Sequence, residues 1–426
     1  MTRPVYLVDG ARTPFLKARG KPNPFTPVDL AVACGRPLML RQPFGPEAID
    51  DVILGCVSPA ADEMNPARIA ALRLGLGADR PAWTVQRNCG SGMQSIDAGF
   101  RAIEAGRAEI VLAGGTEALS HAPLVVKRRM VAWLAEFRQA RGPIARLRQL
   151  AALRPAMLAP EIGLEKGLTD PVVDLSMGQT AEVLAHAFRI GRAAADAYAA
   201  ESHRRLAAAQ AEGRLPEVEP MIDPEGRVHE ADDGVRPDST AEKLATLKPA
   251  FERPWGNVTA GNSSQITDGA AWVILASEEA LADHRLKPMA RILDSEWAAL
   301  DPAIMGLGPV LSSAPLLKRW RLGLGDIDYW ELNEAFATQV LACLAALGDD
   351  AFARANLGLD RAPGTIAHER LNVDGGAISL GHPVGTSGTR IVLHLAHLLR
   401  ERRATRGIAT ECIGGGQGGA MLLEAA

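Results

Sequence analysis

The chain has 426 residues, 47% of them hydrophobic and 23% charged, with a formal net charge of -4. That composition excludes disordered, collagen-like and coiled-coil chains, and it offers no global basic field to attract nucleic acid. Five scattered cysteines (Cys34, Cys56, Cys89, Cys343 and Cys412) form neither a disulfide framework nor the close spacing of a zinc site, so no metal is expected.

In chain order, Met1-Thr2-Arg3-Pro4 leads straight into an apolar run, so no signal peptide is expected, and no stretch approaches the ~20 apolar residues of a membrane span. The expectation is a cytoplasmic protein of two or three domains. Apolar runs at 5–8, 52–54, 110–113, 271–275 and 421–423 read as buried strands. Helical spacing marks 66–74, 91–105, 177–188, 193–212, 335–347 and 385–400. The alternation argues for α/β layers. Two segments echo each other across the chain: 48–54 with 325–331, and 109–115 with 408–415. That distance suits a duplicated domain rather than a solenoid. From 121 to 160 eight lysines and arginines face one acid, Glu136, with apolar residues interleaved, which suggests basic amphipathic helices. A solvated surface, a groove for a phosphorylated ligand, and a patch for a membrane or partner subunit all fit that pattern.

Four segments carry candidate chemistry. Asn88-Cys89-Gly90-Ser91-Gly92 puts a cysteine where a buried helix begins, and the helix's positive end favours a thiolate. A small cysteine at such a place also serves packing alone. The glycine-dense run 375–388 carries His382 on a turn, where Pro383 holds it extended as a possible base for the thiol. Cys412 ends a strand before Gly414-Gly415-Gly416, whose N–H groups are able to face an oxyanion. Asn333, before Glu334-Ala335-Phe336, either caps a helix or points into a site.

Together these segments resemble the thiolases, the acyl-CoA C-acyltransferases, along essentially the whole chain, as do Ser176-Met177-Gly178 and the run from Thr259 to Ala271. Gln265 stands where many members have glycine. The resemblance implies a duplicated αβαβα core of two five-stranded halves, 1–120 with 251–277 and 278–426, and an inserted loop domain at 121–250. It implies reversible Claisen chemistry on CoA thioesters, which enter as substrates, so that no cofactor is needed. By position, Cys89 resembles the acyl-accepting nucleophile, His382 the group taking its proton, and Cys412 the second acid/base. Asn333, through a water, and His382 would hold the enolate, while the N–H groups of Cys89 and Gly414 would hold the oxyanion of the acyl-enzyme step. Met177, Ala260 and Ser264 fall where the family meets pantetheine, Met305 and Phe336 near the acyl pocket, and Arg236 near the nucleotide. Lys243 replaces a serine the family often uses there.

The loop region and Phe352-Ala353-Arg354 look like the beta subunits of trifunctional fatty-oxidation complexes, which usually carry His-Glu-Ala-Phe at 333–336. The resulting expectation is a 3-ketoacyl-CoA thiolase of fatty-acid oxidation, homodimeric or homotetrameric. A contact with an alpha subunit or a membrane surface would run through 121–160. The rivals are an acetoacetyl-CoA thiolase, a ketoacyl synthase, which would lack the second cysteine, and a non-catalytic CoA- or lipid-binding scaffold.

Overall fold

The computed structural model describes residues 3–426; Met1 and Thr2, which open the first expected half, lie outside the described residues. The elements that build the core are β1 (Val5–Arg12), α1 (Pro27–Leu40), β2 (Asp51–Gly55), α2 (Pro66–Arg73), β3 (Ala82–Val85), α3 (Ser91–Glu104) and β4 (Ile110–Ala118). The stretch that follows holds α4 (Arg128–Gln139), α5 (Pro143–Ala152), α6 (Met177–Ala187) and α7 (Arg192–Ala211), and gives no strand to the large sheet. The chain then returns through β5 (Thr267–Ser277), β6 (Ala290–Ala299), α8 (Gly308–Trp320), β7 (Tyr329–Leu332), α9 (Ala337–Leu347), α10 (Val384–Arg402), β8 (Arg406–Ile413) and β9 (Gln417–Ala425).

The first half orders its strands β1-β5-β4-β2-β3, and the second β6-β9-β8-β7. In each half the outer pairs are parallel and the inner ones antiparallel. The same topology twice is the duplication that the sequence echoes mark: 48–54 against 325–331 is β2 against β7, and 109–115 against 408–415 is β4 against β8. Two details differ from the expected pair of five-stranded sheets. The fifth strand of the second half shrinks to a single parallel bridge, Trp330 to Leu371. The halves also join edge to edge where β1 pairs with β6 over Val5–Ile292, Tyr6–Arg291 and Leu7–Ala290, making one continuous sheet.

Helices make three of the five layers: α1 and α2 outside the first half, α8 outside the second, and α3 with α10 between them. α3 places Met93, Ile96, Phe100 and Ile103 on one stripe, all buried, as period 3.6 requires. α10 is buried from Val384 through Leu399, a helix enclosed all round. The two touch backbone to backbone at paired glycines. A Cβ at Gly92 would lie 2.8 Å from Thr389 N, and one at Gly388 2.4 Å from Met93 N. Cys89 precedes α3 by two residues and His382 precedes α10 by two, so the duplication brings both to the same end of the middle layer. Among the described residues no helix is long and apolar enough to cross a membrane.

Candidate active site

Asn88 takes a left-handed conformation, with φ of 45°, at the turn that delivers Cys89. Its amide Nδ2 donates to Gly414 O at 2.8 Å, pinning that turn to the β8–β9 hairpin. The hairpin turns through Gly415 and Gly416 at φ of 90° and 76°, conformations open to glycine. The sulfur of Cys89 receives both its own N–H and the N–H of Gly414. The helix-terminus argument leads to a lowered thiol pKa, and the structure corrects it: burial outweighs those N–H groups and pushes Cys89 up to about 11. At rest Cys89 is therefore a thiol.

His382 lines the same cavity as Cys89. Its backbone N–H donates to Gln265 O at 2.9 Å, and Nδ1 lies 2.6 Å from Ser387 Oγ on the first turn of α10. The Ser387 hydroxyl donates to Pro383 O at 3.2 Å, so by this pattern Nδ1 carries the ring proton. Nε2 is left with a bare lone pair and has no partner among the described residues. Burial, reinforced by Arg390, pushes the imidazole down to about 4 and keeps it neutral. Cys412 is buried at the end of β8, and desolvation, with Cys89 next, drives its thiol well above the ordinary range.

A cavity of about 400 Å³ is walled by Cys89, His382, Cys412, Met177, Arg236, Ala260, Ser264, Met305 and Phe336 together. Met177 begins α6, whose start is fixed by a reciprocal cap between Ser176 and Gln179. A second cavity of about 340 Å³ shares Cys89, Met177, Leu119, Leu168 and Val384 and continues past Val57, Ala122, Leu164, Pro171 and Gly414. Cys89 stands at their junction. The first has Lys17 and Arg236 in its wall; no lysine or arginine among the described residues lines the second.

Asn333 is fully buried and lines neither cavity. Its capping reading is corrected: α9 starts only at Ala337, behind Phe336 and with no side-chain cap, and both polar atoms of the Asn333 side chain lack partners among the described residues. Lys243 pairs with Asp238 at 2.7 Å on the surface and lines neither cavity.

Sequence reasoning passed over several residues that hold the site. Gln265, noted only as a departure, donates Nε2 to Gly234 O at 2.8 Å and Ile378 O at 3.1 Å, tying the His382 loop to the inserted segment. Glu334 accepts from Tyr198 at 2.9 Å, Ser202 at 2.7 Å and Asn372 at 3.1 Å, anchoring 333–337. Ser387 carried one signal, a hydroxyl five residues after the histidine; Lys17 carried none.

Residues 5–279 match the family described as "Thiolase, N-terminal domain" and 286–425 match "Thiolase, C-terminal domain". Human mitochondrial trifunctional enzyme subunit beta is 38% identical, over 99% of this chain and 89% of its own. The beta-ketoadipyl-CoA thiolase of Pseudomonas aeruginosa is 39% identical over 100% of both. The crystal structure of human mitochondrial 3-ketoacyl-CoA thiolase in complex with CoA superposes with a TM-score of 0.84 at 37% identity, over 100% of this chain and 98% of that one. Two family matches spanning both halves, with Cys89, His382 and Cys412 gathered in one cavity, make this chain a member of the thiolase family and an acyltransferase.

Proposed function

We propose that the protein cleaves 3-ketoacyl-CoA thioesters with CoA, releasing acetyl-CoA and a shortened acyl-CoA, as a broad-range thiolase of fatty-acid degradation. The observation that carries this reading is the gathering of Cys89, His382 and Cys412 in one largely apolar cavity that has Met305 and Phe336 in its wall for an acyl chain and Lys17 and Arg236 for the anionic groups of CoA.

In the first stage His382 Nε2 takes the proton of Cys89, and the sulfur attacks the ketone carbon. The N–H groups of Cys89 and Gly414 receive the oxyanion. The bond between C2 and C3 then breaks, its electron pair passing into an enolate held by protonated His382 and by Asn333 through a water. Cys412 gives its proton to C2, and acetyl-CoA leaves. In the second stage the Cys412 thiolate takes the thiol proton of CoA, whose sulfur attacks the acyl-Cys89. The expelled Cys89 thiolate recovers its proton from His382. Each oxyanion donor in such sites is worth about 3–4 kcal/mol. CoA and its thioesters are substrates here, and we assign no resident cofactor.

The arginine-rich face of α4 and α5 is assigned to contact with another subunit or an anionic surface rather than to CoA. A separate basic cavity at the start of α4, lined by Lys127, Arg128, Arg129, Arg154 and Lys166 with Glu161, shares no residue with the one that holds Cys89, and no arginine of α5 lines either. The test of the substrate reading is thiolysis of acetoacetyl-CoA beside 3-ketohexadecanoyl-CoA. Cleavage of both is expected; cleavage of the short one alone would reassign the protein as an acetoacetyl-CoA thiolase.

A further inference from the structure

The duplication sets one glutamate at the same register in each half: Glu117 of β4 opposite Gly269, and Glu411 of β8 opposite Gly419. Each reaches the central helix of the other half. Glu117 accepts from Gly385 N of α10 at 3.0 Å, and also from Val57 N at 3.0 Å and Ser58 N at 2.9 Å. Glu411 lies against the first turn of α3, in the space where Gly388 has no side chain. A Cβ at Gly388 would stand 2.6 Å from Glu411 Oε1 and 2.4 Å from Met93 N. Unlike Glu117, Glu411 accepts nothing. It is 0% exposed, and neither carboxyl oxygen has a partner among the described residues.

The charged and titratable groups around it are few. From α10 comes Arg390, whose Nη1 is already bound to Glu331 of β7 at 2.7 Å. Cys89 lies before α3, and Cys412 follows on its own strand. A carboxylate buried without hydrogen bonds is costly, and such a group stays neutral instead. The positive end of α3 cannot serve two anions equally.

We propose that Glu411 is a positioning residue for the nucleophile: held protonated behind Cys89, it leaves the positive end of α3 to the thiolate, and its ionisation makes Cys89 a weaker acid. The direction agrees with the surroundings of Cys89, where burial first and the Glu411 charge further down both push the thiol up. No atom of Glu411 touches substrate in this role. The carboxyl acts through the charge it withholds.

The inference rests on Cys89 being the nucleophile, and its test reads the thiol without any substrate. Iodoacetamide alkylation of Cys89 is followed against pH by peptide mass spectrometry in the wild type and in Glu411→Gln, with circular dichroism confirming the fold. Cys34, Cys56, Cys343 and Cys412 are buried, so the half-buried Cys89 is the site that reports. The two curves are expected to coincide while the wild-type carboxyl is protonated and to part above the pH at which it ionises, where Glu411→Gln reacts about threefold or more faster, as half a unit of pKa requires. Superposable curves would overturn the proposal.

Should the variant not fold, the infrared spectrum of the intact wild type, with its glutamates carbon-13 labelled, decides the matter. A protonated carboxyl band of a group accepting no hydrogen bond, lost as the pH rises, is expected, and its absence would overturn the proposal. Failure of the thiolase reading would show separately, as wild-type protein that alkylates normally but cleaves no 3-ketoacyl-CoA.

Discussion

Burial acts on Cys89 and His382 so that both are neutral at rest, the thiol pushed up to about 11 and the imidazole down to about 4. On the proposed mechanism the proton moves from this weak acid to His382 Nε2, which is buried and without a partner among the described residues. Replacing His382 by Asn should lower kcat by about 10²–10⁴, the usual worth of a placed acid–base group, with KM little changed. Steady-state kinetics checks it, and an unchanged kcat would remove His382 from the chemistry. The acid limb of kcat/KM should lie near 4, not near histidine's ordinary ~6.5. The sign for stability follows: since the folded value is the lower one, the contribution of His382 is present above the unfolded value and is lost as the pH falls through about 4. At this scale the sequence shows the reacting types, Cys89, His382 and Cys412, because turns and glycines frame them. It does not show the balance between helix end and burial, which depends on what packs over the turn.

The elements were legible where a period repeats. α3, with its stripe of apolar residues, starts at Ser91 as its spacing predicts, and 385–400 appears as α10 with Val384 and two further residues added. α9 starts two residues later than its spacing suggests because Glu334 is bound to Tyr198 and Ser202, which keeps 333–336 out of the helix. No signal for that pairing exists in the local sequence; the partners lie more than 130 residues away. The basic amphipathic helices expected in 121–160 are α4 and α5, which leave Val131, Leu134, Ile144 and Leu147 exposed among their arginines. Reversing the charges of Arg138, Arg141, Arg146 and Arg148 should leave acetoacetyl-CoA cleavage unchanged while weakening binding to anionic vesicles or to a partner subunit, measured by co-sedimentation. A collapse of turnover with the fold intact would assign these arginines to CoA instead.

Across the molecule, the inserted segment is fastened to the core by a buried ionic network. Arg12 of β1 makes two hydrogen bonds to Asp232, at 2.7 and 2.9 Å, and a third to Glu217 at 3.4 Å, which also meets His394 of α10 at 3.1 Å. Arg12 and Asp232 are 220 residues apart, so nothing in the chain's local pattern announces the pair. Removing Asp232 leaves the buried Arg12 with only the longer Glu217 contact at 3.4 Å, and Asp232→Ala should cost about 3–5 kcal/mol of stability in denaturant unfolding. A loss below about 1 kcal/mol, the worth of a surface pair, would show that the network is not closed to water. The duplication itself was readable because strands β2 and β7, and β4 and β8, keep their patterns. The joining of the two halves through β1 and β6 was not, since edge pairing leaves no mark on periodicity.

The central claim is that Cys89 carries the acyl group, and its most direct test is to incubate the protein with a 3-ketoacyl-CoA in the absence of free CoA and locate the adduct by peptide mass spectrometry. The account predicts the shortened acyl group on Cys89, discharged when CoA is added and absent from Cys89→Ala. An adduct on Cys412, or full turnover by the Cys89→Ala variant, would contradict it.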